Sequence, residues 1–486
     1  MKKKENIEEP SSETDPEKAE NEEYRNFKEE PGDDDGENRN PQKRNSVILT
    51  GLFVTKAMIG SGILNVPLIF RTFGIVFGPI ISLFLNFITN LSTYFLLRSK
   101  DITQRYSYAI YSKLTMGLVG TLTCKICIII RSFTLCSVHL KLLGKVIRTL
   151  LLIFFNEYRD KIFLNSEFLL IVFSLLITPM MLQKDISGIS KFTFLGIYSI
   201  SYLFISLVIL LIFKIKQNEI KPFETPMLYT NGDFFIKFKC FGGFVNAYVY
   251  QVNFFPIYLP LHPRSTKNMI KSSLLGTLLG SFVYTSFGLV SFIIYRYDIK
   301  DTLLIYLGDD LIKYLKTNKL MATLLIVFEF AFISNTTISI MLNFFMGKSG
   351  IINLVKFILK YKNKTKKQNK DIPLVDVNEK GIALNNTENK EKESILSEGA
   401  KTVITLLAYF IIIYVSYASE SIIAVDNFNG STVNNFLSLM LPAFFFIQFS
   451  KNKGFSFEKL LAFFLFLFSV SLISGFLILN FSKIFF

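Results

Sequence analysis

Eleven stretches of this chain are apolar for long enough to cross a lipid bilayer, and this fixes its class before any single residue is weighed. About 20 helical residues, each rising 1.5 Å, span the roughly 30 Å hydrocarbon core. The stretches fall at 47–71, 74–97, 117–143, 167–183, 189–213, 241–260, 272–295, 320–346, 401–421, 432–449 and 457–482. Half of the 486 residues are hydrophobic. The expectation is an all-α membrane protein with 11 transmembrane helices. Residues 1–46 precede them as a tail. Residues 47–346 carry helices 1–8, residues 347–400 form a loop, and residues 401–486 carry helices 9–11.

Two of the eleven stretches are spoiled in the middle. Residues 57–74, AMIGSGILNVPLIFRTFG, place Gly60, Ser61, Gly62 and Pro67 at bilayer depth. Residues 241–260 do the same with Gly242, Gly243, Asn246, Gln251, Asn253, Pro256 and Pro260. A break there frees backbone N–H and C=O groups that lipid cannot satisfy, so it survives only where it lines a cavity or a ligand. Broken first and sixth spans are the pattern of two inverted five-helix halves with a binding site between them. Half-helix N-termini suit a carboxylate, and unwound carbonyls suit an ammonium or a coupling cation. An amino acid offers both groups. Ile59, Gly60, Ser61, Gly62, Ile63 and Leu64 are therefore expected to hold its carboxylate through backbone N–H groups. Asn246, Ala247, Tyr248, Tyr250 and Gln251 are expected to hold its ammonium and shape the side-chain pocket. Close packing of small residues is the competing reading of Gly60-Ser61-Gly62.

Charge is unevenly spread. Residues 1–46 hold 9 Lys/Arg against 15 Asp/Glu, a net −6, and the remainder is +21. Such a polar tail buries too little apolar surface to fold alone and is expected to be disordered. The basic residues elsewhere mostly flank apolar stretches, which reads as topology rather than nucleic-acid binding. Lys43 and Arg44, then Arg98, Lys100, Arg105 and Lys113, then Arg264, Lys267 and Lys271, then Lys451, Lys453 and Lys459 share one side if the N-terminus is cytoplasmic. The five lysines of 214–240 oppose this, but long loops weigh little in the rule. In 347–400, Ile351, Leu354, Val355 and Ile358 precede a lysine cluster from Lys360 to Lys370. This reads either as an interfacial helix on an anionic leaflet or as an extension of the eighth helix. Residues 371–400 are expected to be disordered.

Ionisable groups inside the spans point to coupling. A charged carboxylate in lipid costs at least ~2.5–3.5 kcal/mol, so Glu329 is expected to face the bundle, either in a structural ion pair with Arg131 or as a proton acceptor. Lys56, Glu329, Asn335 and Thr336 form the expected coupling set. At least two of Ser334, Asn335, Thr336 and Thr337 are expected to bond back to their own helix. Asp426 and Glu420 are expected to be solvated near the outer end of the ninth span. Asn429-Gly430-Ser431 is a glycosylation sequon, placed too close to the membrane to favour its use. Cys124 and Cys127 form a CxxC inside a span, where packing is favoured over metal or redox chemistry. His139 and His262 are too few for a histidine-rich metal site. No cofactor, enzyme motif or cleavable signal peptide is expected.

Three blocks resemble the amino acid/auxin permease family of the amino acid/polyamine/organocation superfamily. In the first helix stand Lys56, Ile59, Gly60, Ser61, Gly62, Ile63, Leu64, Val66, Pro67, Phe70 and Gly74. In the sixth stand Ala247, Tyr248, Gln251, Pro256, Ile257, Tyr258 and Leu261. In the tenth stand Gly430, Ser431 and Thr432, then Leu439, Pro442 and Ala443. The resemblance implies a leucine-transporter-like 5+5 inverted repeat and secondary active transport of amino acids by alternating access. Tyr250 stands where the family usually has cysteine, and Pro260 where an acidic residue is common. Sodium-coupled relatives carry asparagine at the position of Lys56. An ammonium there, a donor with no acceptor, would occupy or repel a cation site, so the resemblance points to the sodium-independent, proton-coupled or facilitative branches, with H+ expected over Na+ as a coupling ion. The rival readings are an amino acid sensor whose tail engages a partner, and an ion channel. The channel lacks visible filter repeats or charge rings. The plasma membrane and the vacuolar or lysosomal membrane are equally compatible with the sequence.

Overall fold

A computed structural model describes residues 45–155, 157, 161–183, 193–220, 233–299, 302–368, 397–419, 421–451, 454 and 456–485. Of the segments expected to be disordered, 1–46 and 371–400, residues 1–44 and 371–396 lie outside the described residues, whereas Ser46 caps the first helix and residues 397–400 are the cap and first turn of the helix Glu398–Ala418. The helices are α1 (Val47–Met58), α2 (Val66–Thr103), α3 (Tyr108–Phe154), α4 (Ser166–Met181), α5 (Thr193–Lys216), α6 (Phe234–Tyr248) and α7 (Phe254–Tyr258). They continue with α8 (Thr266–Tyr295), α9 (Leu303–Thr317), α10 (Lys319–Gln368), α11 (Glu398–Ala418), α12 (Ile422–Ser431), α13 (Leu441–Phe449) and α14 (Phe457–Phe485). Between α12 and α13 run a helical turn, Val433–Asn435, and a π-helical turn, Phe436–Met440.

Among the described residues, eight helical stretches are long and apolar enough to cross a membrane. The other expected spans are the two interrupted ones and the fourth, whose helix α4 has 16 residues. Large apolar side chains such as Leu83, Phe87, Leu176 and Phe464 stand exposed along these helices. A bilayer rather than water fits such a surface.

Local sequence sets the boundaries. Side chains of Ser46, Asn165, Asp233, Ser265, Ser397 and Ser421 each accept a backbone N–H in the first turn of the helix that follows, as N-caps do. Gly74 (φ 84°) and Gly117 (φ 63°) bend α2 and α3 through backbone conformations that L side chains rarely adopt. The bend at Gly74 separates the second half of the first expected span from the second span. The third expected span, 117–143, lies within α3.

Packing sorts the helices. α1 and α2 lie against α8, α6 lies against α12, and α3 packs on α10, α4 and α11. Beyond the breaks, Asn45 pairs with the chain after α7. Its N–H donates to Pro260 O at 2.9 Å, and its carbonyl accepts from His262 N at 2.9 Å. Cys124, Cys136 and Cys240 are buried free thiols.

Three features differ from the sequence reading or, for the basic stretch after the eighth span, decide between its two alternatives in favour of an extended eighth helix. The tenth span, expected at 432–449, is helical from Ile422. Hydropathy excludes 422–431 because of its Asp and Asn residues, but Asp426 and Asn429 are buried and hydrogen-bonded to Asn65 and Asn246 of other elements. The basic stretch after the eighth span is no separate interfacial helix. α10 continues through it to Gln368, with Ile351 packed in an apolar cluster and Phe357 beneath the Lys125 ammonium at 4.5 Å.

The third difference is α9, which the sequence reading lacked. It buries Leu303, Leu304, Leu307, Leu311 and Tyr314 along one face. Asp310 anchors it, pairing with Lys214 Nζ at 2.8 Å and accepting from Tyr295 Oη at 2.6 Å. Asp310→Ala leaves a buried ammonium uncompensated and is expected to destabilise the protein by about 3–5 kcal/mol. Thermal unfolding in detergent measures this against Lys316→Ala, an exposed control. Lys214→Met combined with Asp310→Leu should recover most of the loss, because neither charge is then stranded.

Candidate functional site

α1 stops at Met58, Ile59 is extended, and Gly60 leads into a 3-10 turn, Ser61–Leu64. α2 restarts at Val66. α6 stops at Tyr248, Val249 is extended, and a 3-10 turn, Gln251–Asn253, leads into α7. Both interruptions fall where glycine, proline and amide residues spoil the apolar pattern. The sixth-span break begins at Val249, because Phe244–Tyr248 still complete the last turn of α6. Among the described residues neither the turn at Ser61 nor the start of α2 has a side-chain cap, and Pro67 in the first turn of α2 has no N–H to satisfy.

The two interruptions meet. A methyl group on Gly62 would lie 3.1 Å from Ala247 Cβ, so any larger residue needs its neighbours to give by a few tenths of an ångström. The Tyr284 hydroxyl of α8 stands 2.8 Å from Met58 O and 2.9 Å from Ala247 O. Met58 closes α1 and Ala247 lies in the last turn of α6, where carbonyls lack helical partners. A single phenolic hydrogen serves one of them at a time.

A buried polar chain runs across this junction. Asp426 is 1% exposed, although solvent was expected around it. Its Oδ2 accepts from Asn65 Nδ2 at 2.8 Å, and its Oδ1 from Asn246 Nδ2 at 2.6 Å. Asn246 Oδ1 accepts in turn from Asn434 Nδ2 at 2.7 Å and Asn429 Nδ2 at 3.1 Å. Arg131 Nε donates to Asn434 Oδ1 at 2.8 Å. Thus α12 and the helical turn after it link both breaks and α3 through side-chain hydrogen bonds. Asn429 is committed to this chain and buried, so its sequon is not available for glycosylation in this fold. Glu420, the other acid expected to be solvated, lies outside the described residues.

Arg131 therefore pairs with Asn434, not with Glu329. Glu329 is 1% exposed, and its Oε2 has no hydrogen-bond partner among the described residues. Lys56 Nζ donates to Asn335 Oδ1 at 2.5 Å, joining α1 to α10 beside Gly196 of α5. Thr336 is buried. Ser334 and Thr337 bond back to Phe330 O and Ile333 O of their own helix.

Of the remaining expected binding residues, Ile59, Gly60, Gly62, Ile63, Asn246 and Ala247 lie at the junction. For Ser61 and Leu64 only the backbone is described. Tyr248, Tyr250 and Gln251 turn toward α2 and α8. Tyr248 Oη bonds Ser82 Oγ. Tyr250 Oη bonds Thr93 at 3.0 Å and Ser273 at 2.7 Å. Gln251 Nε2 donates to Thr89 O at 3.0 Å. Their polar side-chain atoms hold the broken segment to its neighbours. Asp426, Asn65, Asn434 and Tyr284 were missed. The spacing of Asp426, Asn429, Asn434 and Ser438 along one helical face was the available signal.

A family model described as transmembrane amino acid transporter protein matches residues 43–482. Three Arabidopsis thaliana proteins are similar over about half of the chain. Amino acid transporter AVT6D is 22% identical over 254 residues, which is 50% of this chain and 57% of that protein. Amino acid transporter AVT6C is also 22% identical, over 257 residues. Amino acid transporter AVT6E is 23% identical over 269 residues, 53% of this chain and 54% of that protein. The matches therefore span little more than half the length of these relatives. Among solved structures, a manganese transporter of Eremococcus coleocola, crystallised with an aromatic bis-isothiourea substituted compound, is similar with a TM-score of 0.50. Its sequence identity is 11%, over 88% of this chain and 85% of that one. The likeness is one of fold.

Proposed function

The chain belongs to the transmembrane amino acid transporter family, and from that premise we propose that it carries amino acids across a membrane by alternating access around its two broken spans. The observation that carries this reading is the contact of both interruptions at Gly62 and Ala247. Uncapped N–H groups before α2 suit the substrate carboxylate, and the C-terminal end of α1 suits its ammonium. The packing of α2 on α8, α3 on α10 and α4 on α11 supports eleven spans in a 5+5 inverted repeat. It also suggests which helices rock together. The N-terminus is assigned to the cytoplasm by the basic flanks. The membrane is plasma or vacuolar/lysosomal.

Coupling is assigned to H+ rather than Na+. Lys56 keeps a tethered ammonium on Asn335, and a like charge disfavours a second cation beside it. Glu329 is the proposed proton acceptor, because a buried carboxyl without a partner is costly to keep charged in a membrane.

Uptake into proteoliposomes under imposed pH or sodium gradients, against a panel of amino acids, tests the reading. Saturable flux of at least one amino acid supports it, and its absence for all of them overturns it. In the same assay Glu329→Gln should abolish the pH dependence of uptake. Full retention of that dependence would remove Glu329 from the coupling role.

A further inference from the structure

Resting on that transport reading, we propose that His139 is a substrate-binding residue whose Nε2 accepts a hydrogen bond from the ammonium of the amino acid at the first break. His139 lies on α3 and is 3% exposed. Its Nδ1 is 2.6 Å from Leu135 O, one turn back along the helix. A carbonyl can only accept, so Nδ1 carries the proton and Nε2 of the neutral ring carries the lone pair. That Nε2 is buried and has no hydrogen-bond partner among the described residues.

The unpaired nitrogen is aimed at the interruption of the first span. A methyl group built on Gly60 would lie 4.0 Å from His139 Nε2, with no other described heavy atom outside its chain neighbours within that distance. The space above Gly60 is therefore open and walled by an acceptor. A buried acceptor left unmatched is unfavourable, and a donor arriving with the substrate removes the deficit.

The neighbourhood selects the donor. The C-terminal end of α1, whose last carbonyl is that of Met58, carries partial negative charge beside Gly60. Lys56 brings the nearby positive charge, but its Nζ is held on Asn335 Oδ1. A protonated primary amine, offering several N–H donors, meets both the Nε2 lone pair and the α1 terminus. A quaternary ammonium offers the charge without a donor. The site is thus selective for α-amino acids over their N,N,N-trimethyl betaines.

The test uses the full chain in proteoliposomes and the twenty L-amino acids as probes. For the best-carried amino acid, His139→Leu is expected to raise KM about tenfold, the loss of one charge-assisted hydrogen bond, with the maximal rate little changed. Inhibition by the betaine of that same amino acid should be equal in wild type and variant. His139→Gln, whose side-chain amide reaches near the Nε2 position, should keep KM near the wild-type value. His139→Asn is too short and should behave as the leucine variant, so any one folded variant is informative. An unchanged KM in His139→Leu or His139→Asn, or equal weakening of amino acid and betaine, overturns the assignment alone. Wild-type protein that neither carries nor is thermally stabilised by any of the twenty amino acids overturns the transport reading, and this assignment with it.

Discussion

Gly62→Val is expected to reduce amino acid uptake to background while the protein remains folded. At Gly62 even a single methyl group would lie 3.1 Å from Ala247 Cβ and 3.4 Å from Ala247 Cα. The alanine variant needs a shift of a few tenths of an ångström and should retain partial uptake. The branched valine side chain must push the two interruptions apart. Overpacking of this kind costs about 1–3 kcal/mol, which a folded domain of ordinary stability survives. In the proposed mechanism, however, backbone groups of both interruptions hold the substrate at once, so their separation would remove the site. Initial uptake rates alongside thermal unfolding measure the two effects separately. Gly399→Val is the control, since nothing lies within 4 Å of its Cβ position. Wild-type uptake by Gly62→Val would show that the junction does not carry substrate.

The second large effect is expected at Asp426. Both of its oxygens accept from amide nitrogens, one on Asn65 beside the first break and one on Asn246 just before the second. Asp426→Leu strands both donors in a dry interior, and each unsatisfied donor costs about 1–3 kcal/mol. The expected loss is therefore larger than for an ordinary surface substitution, and uptake should fall with it. Asp426→Asn preserves shape but opposes one N–H2 group to another, so it keeps one hydrogen bond and should fall between. Melting curves of the three proteins give the order. Equal stability of wild type and Asp426→Leu would mean that the hydrogen-bonded chain is dispensable.

The breaks were legible because they violate a strong local rule. Gly60, Gly62, Pro67, Pro256 and Pro260 interrupt otherwise apolar stretches, and no tertiary information is needed to notice them. The hydrogen-bonded chain from Asp426 to Arg131 was not legible in the same way. Hydropathy scores Asp426, Asn429 and Asn434 as water-seeking, and only a three-dimensional partner such as Asn246 turns them into interior residues. That error also moved the start of the tenth span from Ile422 to 432. Arg131 was read toward the nearest conceivable counter-charge, Glu329, but a neutral amide on Asn434 takes its Nε–H. In α9 the apolar face of Leu303, Leu307, Leu311 and Tyr314 follows the helical period, yet the segment is too short and too charged to register in a search for spans. His139 carries no sequence signal beyond a polar ring in an apolar helix. Its assignment depends on where the open side of Gly60 points.

The short main-chain pairing of Asn45 with Pro260 and His262 has a mechanical consequence. It fastens the start of the first interrupted span to the end of the sixth, as a buckle joins two straps. Motion that parts those ends has to undo the clasp. Motion that leaves it closed must carry both straps as one piece and open its seam against α3 and α10 instead.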